Sequence, residues 1–203
     1  ALFSQAEAGL GNQTGDTSEG INFFPAEVER YRNAVTLYCG QYQIEGYENL
    51  VLCVMFRESG GQGNDPMASS ESGYNTRFPR EPISIKDPLY SIDCGVHTLA
   101  DAITAAGCTS PADFDHIALA LQGYNFGNGY IQWAVDRDGG YTQENAQAFS
   151  DMMKAKLGWE VYGNPGYAQV ILADYRAILY GGDNGIILPG TDQGISVVYF
   201  NQG

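Results

Sequence analysis

Residues 48–59 read ENLVLCVMFRES, and they decide how the rest of the chain is organised. From Leu50 to Phe56 there is no polar side chain. A helix that is apolar on every side is stable only when packed all round, so the stretch predicts a buried central helix over 48–59. The run ends on a carboxylate, Glu58, and then dissolves into GGQGNDPM. A solvated helix end needs no such desolvating run before it. Burial among apolar neighbours and the negative end of the helix dipole both disfavour a charged Glu58 and raise its pKa. Arg57 does not oppose this, because adjacent helical residues point in different directions.

Outward from this helix, the chain reads as one mainly α domain. Pro25 suits a first helical turn, and Val28, Tyr31, Val35 and Tyr38 recur at helical spacing up to a stop at Gly40. Residues 60–90 carry Pro66, Pro79, Pro82 and Pro88 among glycines and polar residues, and they read as an irregular excursion. Ser91 is the expected cap of a helix with Ile92, Val96, Leu99 and Ile103 on one stripe, ending at Gly107. Ser110, Pro111 and Asp113 open a further helix that carries Ile117, Leu119 and Leu121 to Gly123, followed by a glycine-rich connection. Thr142 opens another, with Phe149, Met152, Met153 and Leu157 facing inward and Gly158 after it. Tyr167, Val170, Ile171, Tyr175, Ile178 and Leu179 mark one more, before Gly181. Residues 1–24 read as a loose polar arm. Residues 182–203 change character: a Gly/Asp/Asn/Pro linker leads into ISVVYF, a strand-like run without partners, as at the start of a second domain.

Composition removes several function classes. With 10 Lys and Arg against 24 Asp and Glu, the net charge of −14 repels phosphate backbones and anionic lipid heads, so nucleic acid is not an expected partner. No apolar run is long enough to span a membrane, and the first residues lack the basic region of a signal peptide. Cys39, Cys53, Cys94 and Cys108 lack the paired spacing of a zinc site and read as buried thiols or one or two optional disulfides. His97 and His116 are the only histidines, too sparse for a metal site or a Ser-His-Asp triad, and no metal or organic cofactor is expected.

The motifs fall in a fixed order: Glu58-Ser59 at a buried helix end, a glycine-rich loop with DPM at 65–67, SIDCG at 91–95, and ALALQGYNFGNGYI at 118–131. This constellation resembles the goose-type lysozyme and soluble lytic transglycosylase superfamily, and within it the lysozyme-like muramidase domain of the CwlT-type two-domain wall hydrolases of conjugative transposons. The resemblance covers about residues 26–180. It implies a lysozyme-like helical domain over 25–181 that acts on the glycan strand of peptidoglycan. The domain is expected to be monomeric and extracellular or wall-associated, secreted or anchored through a segment outside this chain.

The resemblance makes Glu58 the catalytic acid/base, with Ser59 as its supporting hydroxyl. Substrate contacts are expected from Ser59, Met67, Glu71, Gln122, Tyr124 and Asn125, with Gly127 closing the Tyr-Asn-x-Gly segment. Tyr and Asn can hydrogen-bond sugar hydroxyls and acetamido groups. Ala68 is a departure, since many relatives carry Gln after DPM. Asp65 and Glu71 are the nearby candidates for a second catalytic carboxylate. With Glu58 alone, the substrate's 2-acetamido group can stabilise the oxocarbenium-like centre. Attack by water then gives a muramidase, and attack by the muramyl 6-hydroxyl a lytic transglycosylase; the resemblance favours hydrolysis. A wall-binding module with weak catalysis is the alternative that Ala68 motivates. The strand at the end resembles the opening of a papain-like peptidase domain, and no cysteine follows Cys108 to serve as its nucleophile.

Overall fold

The computed structural model describes residues 23–180, and all regular structure among them is helical. The sequence-based arm and the tail with its strand lie outside the described residues, except that Phe24, placed in the arm by composition, is buried in the core.

The helices are α1 (Ala26–Glu29), α2 (Arg32–Gln41), α3 (Glu48–Ser59), α4 (Pro88–Ala106), α5 (Phe114–Phe126), α6 (Gly129–Asp138), α7 (Gln143–Leu157) and α8 (Tyr167–Tyr180). The first expected helix is therefore two. Its break falls at Arg30 and Tyr31, and α2 runs through Gly40 to Gln41.

Helix α3 has the expected bounds, with every residue from Leu50 to Phe56 buried. It ends where Gly60 turns left-handed (φ 64°) and donates its N–H to the Phe56 carbonyl. It packs on α1, α2 and α8. It is not the sole buried helix: α5, buried from Ile117 to Gly123, packs on α4, α6 and α8. The core is thus organised around two helices, with α8 in contact with both. Arg57 and Asp174 lock α3 to α8 through two parallel N–H···O contacts of 2.5 and 2.7 Å. That pairing also takes the Arg57 cation to α8.

Two helix boundaries differ for identifiable reasons. Helix α4 starts at Pro88, with the Asp87 side chain accepting from Tyr90 N–H, so Ser91 is a buried residue one turn inside rather than the cap. Helix α5 runs past Gly123, because a Cβ there would sit 2.5 Å from Ile131 on α6: the glycine permits close helix packing and does not stop the helix. That contact belongs to α6, which the glycine-rich sequence concealed.

Helix α7 opens on the expected Thr142, whose hydroxyl and Asn145 form a reciprocal capping pair. Met152 and Leu157 of α7, and Val170 and Leu179 of α8, are exposed rather than inward. The four cysteines are unbridged, with Cys39, Cys53 and Cys94 buried.

The long 60–87 segment has no regular helix yet is closely tied down. Tyr74 stacks on His97 of α4 at 3.4 Å, and Tyr42 at the end of α2 stacks on the same ring at 4.0 Å. The Tyr74 hydroxyl donates to Asp101 and the Tyr42 hydroxyl to Asp93, both on α4. A mobile flap would not be pinned this way. No helix among the described residues is long and apolar enough to cross a membrane.

Candidate active site

Glu58 stands in the last turn of α3, where the desolvating run ends. Burial pushes its carboxyl from an ordinary 4.5 up to about 7; the Tyr167 hydroxyl pulls it down and the nearby charge of Asp65 pushes it up. Tyr167, in the first turn of α8, donates to Glu58 Oε1 at 2.5 Å. Burial, followed by the charges of Glu58 and Tyr124, holds the Tyr167 phenol well above its usual range. Tyr167 therefore keeps its proton at the pH where Glu58 titrates.

Tyr124, near the end of α5, stacks on Tyr167 at 6.4 Å and donates to the Met67 carbonyl at 3.0 Å. It too is held protonated, by burial first and then by the charges of Glu58 and Asp65. Glu58, Tyr124 and Tyr167 thus form one group drawn from α3, α5 and α8. A proton on Glu58 near neutral pH, beside two phenols that keep theirs, equips the group to donate a proton to a substrate oxygen.

The DPM loop gives this group its floor. Ser69 N–H and the Ser91 hydroxyl donate to one oxygen of buried Asp65 at 2.8 and 2.6 Å. Ser70 N–H and its hydroxyl donate to the other at 3.0 and 2.5 Å. With four donors on its two oxygens, Asp65, one of the two candidates for a second carboxylate, is a structural anchor for the loop. The Ser59 hydroxyl donates to the Pro66 carbonyl at 2.8 Å and accepts from Gly61 N–H at 3.0 Å, fixing the turn that follows Glu58.

Other expected contacts fall behind the surface. The Met67 side chain is fully buried against α4, where only a glycine fits: a Cβ on Gly95 would lie 2.5 Å from Met67 Cβ. This accounts for the glycine of SIDCG. Gln122 is fully buried too, and its amide donates to the Asn164 carbonyl at 3.0 Å and accepts from Ala168 N–H at 3.3 Å. Both were expected to meet substrate; both instead hold the frame, Gln122 by fixing the start of α8 so that Tyr167 reaches Glu58.

Asn125 is half-buried and accepts from Asn164 N–H at 2.8 Å. Glu71 is half-buried on the 60–87 segment, and Ala68 adopts a left-handed φ of 47°. Among the described residues, no three His, Cys, Asp or Glu side chains are grouped to hold a metal. Tyr167, the hydrogen-bond partner of Glu58, is not among the residues expected from sequence, since its place in the apolar stripe of α8 reads as core. The one available signal was the Asn164-Pro165-Gly166 turn immediately before it.

This geometry can be set beside known proteins. The chain is 34% identical over 146 residues to the bifunctional muramidase/DL-endopeptidase CwlT of Bacillus subtilis, covering 72% of this chain and 41% of that one. It is 34% identical over 113 residues to the uncharacterised membrane protein YocA of the same organism, covering 56% and 46% respectively. The crystal structure of a lipoprotein-like protein of the NLP/P60 family from Staphylococcus aureus superposes with a TM-score of 0.60 at 28% identity, over 75% of this chain and 53% of that one. The chain spans about half the length of these relatives. The lysozyme-like family profile matches residues 25–184, from the start of α1 to just past α8, and the chain belongs to that lysozyme-like family.

Proposed function

We propose that the chain is a peptidoglycan hydrolase that cleaves the β-1,4 bond between N-acetylmuramic acid and N-acetylglucosamine, with Glu58 as general acid and then base. The observation that carries this reading is the Glu58 carboxyl, pushed up to about 7 by burial and held by the Tyr167 hydroxyl. The muramidase named in the B. subtilis relative supports the same reaction class.

In this mechanism protonated Glu58 gives its proton to the glycosidic oxygen as the C1–O bond breaks. The substrate's own 2-acetamido group stabilises the electron-deficient C1, which suits a site where Asp65 is committed to four donors. Glu58, now a carboxylate, takes a proton from the incoming water as its oxygen bonds to C1. Ser59 and Tyr124 hold the loop and the acid in register. Asn125, Glu71 and the accessible edge of Tyr124 line the sugar path. The reaction takes place at the cell wall and uses no metal.

Glu58→Gln abolishes clearing of purified walls under this reading. Mass spectrometry of the digested muropeptides is expected to give reducing ends; 1,6-anhydro ends would overturn hydrolysis in favour of intramolecular transfer, and unchanged clearing would remove Glu58 from the chemistry.

A further inference from the structure

Residues 158–166, between α7 and α8, belong to the site at one end and carry an exposed apolar cluster at the other. At the C-terminal end, Asn164 bonds to both Asn125 and Gln122, and Tyr167 follows three residues later. At the N-terminal end, Trp159 is 36% exposed and Val161 50%, continuing from Leu157 at 41% on the last turn of α7. Three large exposed apolar side chains fall within five residues of chain.

The segment is rigidly placed. The Tyr162 hydroxyl donates to the Phe126 carbonyl at 2.9 Å, the Ser150 hydroxyl donates to the Tyr162 carbonyl, and Trp159 N–H donates to the Lys154 carbonyl at 3.1 Å. The Trp159 ring lies 6.0 Å from Tyr162, which lies 5.7 Å from Phe126, the neighbour of Asn125. Trp159 therefore rests on a run of tilted aromatic contacts built onto the end of α5 that bears Tyr124 and Asn125. A surface fixed before binding loses little entropy when occupied.

A net charge of −14 gives this chain no electrostatic pull on a neutral or anionic polymer, so strand capture relies on short-range contacts, hydrogen bonds at the site and apolar stacking beyond it. An indole face meets the C–H face of a sugar ring with a large area and few rotors to freeze. We propose that Trp159, flanked by Val161, is an accessory platform for another sugar ring of the same glycan strand, away from the residues around Glu58. This rests on the muramidase reading. Eight residue steps separate Trp159 from Tyr167, so the two lie at most about 29 Å apart, within reach of one glycan strand. Such a contact strengthens binding of long strands and leaves the chemical step unchanged.

The test uses Trp159→Ala and Trp159→Phe in the full chain, on soluble glycan strands fractionated into tetrasaccharides and strands of about twelve or more sugars. Trp159→Ala is expected to raise KM on long strands about tenfold, with kcat and tetrasaccharide kinetics unchanged and Trp159→Phe close to wild type. Unchanged KM on long strands overturns the proposal and leaves the patch to a following domain or a second copy. Equal losses on both lengths also overturn it, because they mean that Trp159 acts by placing Tyr167. Sedimentation with intact sacculi in the cold separates this from the parent reading. If the wild type cleaves neither substrate but Trp159→Ala weakens sedimentation, the muramidase reading fails and the platform stands; if sedimentation is also unchanged, the platform falls.

Discussion

Replacing Glu58 by glutamine is expected to make the fold more stable at pH 8 while removing the proposed catalytic acid. In the folded chain the Glu58 carboxyl titrates at about 7, against an ordinary 4.5. A carboxyl whose folded pKa is raised binds its proton more tightly folded than unfolded. Its contribution is then fully present below about 4.5 and is lost as the pH rises through about 7. At about 1.36 kcal/mol per pH unit, the interval from 4.5 to about 7 amounts to about 3 kcal/mol. This is a ceiling, because Glu58 keeps some solvent contact at the helix end.

Glutamine has the same shape, stays neutral, and its carbonyl can still accept from the Tyr167 hydroxyl. Wild type and Glu58→Gln should therefore match within about 0.5 kcal/mol at pH 4. They should separate between pH 5 and 7, and at pH 8 the variant should lead by about 2–3 kcal/mol. For a chain of this size that corresponds to a melting temperature higher by about 4–12 °C. Urea unfolding of both proteins at pH 4, 6 and 8 reads the difference directly, and contributions from the other titrating groups cancel in it. A difference that does not change with pH, or a wild type more stable at pH 8, would show that Glu58 is not destabilised as a carboxylate and would refute the burial argument.

Tyr167→Phe removes the one donor that favours the Glu58 carboxylate, so the alkaline limb of the pH–rate profile should move to higher pH and kcat should fall as the acid loses its orientation; an unmoved limb counts against the contact. Gly163→Ala places a Cβ 1.9 Å from the Phe126 ring at a backbone φ of 59°, and should cost about 2–5 kcal/mol in urea unfolding. Asp65→Ala strands the Ser69 and Ser70 N–H groups and the Ser91 hydroxyl inside the protein, and should cost about 3 kcal/mol or more. Asp65→Asn should do less damage and lower the Glu58 pKa by removing a nearby charge, visible as an alkaline limb shifted to lower pH.

The parts of the fold that were legible in the sequence are those where burial and backbone chemistry agree. Helix α3 combines an apolar run with a left-handed glycine after it, so one reading satisfies both signals, whereas α7 was legible from its Thr cap and Gly158 stop more than from its apolar stripe. Glycine misled where it serves packing. Gly123 looked like a stop because a missing Cβ carries the same letter whether the chain turns or another helix presses against it, and here Ile131 presses. The same ambiguity hid α6, whose sequence opens on the glycines that seemed to end α5.

For the candidate site, the raised pKa of Glu58 was legible because its cause is local: the run that desolvates it immediately precedes it in sequence. What acts on Glu58 comes from far along the chain. Tyr167 is 109 residues away and Tyr124 is 66, and neither is distinguishable from a core aromatic until the helices are packed. The misplaced residues follow from the same cause. Met67 and Gln122 lie in the right motifs, but a motif records that a position is constrained without recording whether it meets the ligand or braces what does. Gln122 braces: its amide bonds at Asn164 and Ala168 fix the first turn of α8, the turn that carries Tyr167 to Glu58. A polar side chain without solvent exposure can act on substrate only through such a neighbour. Glu58 keeps solvent contact while Gln122 has none, so burial separates the candidate acid, raised to about 7 by desolvation, from the side chain that fixes the turn bearing its Tyr167 donor.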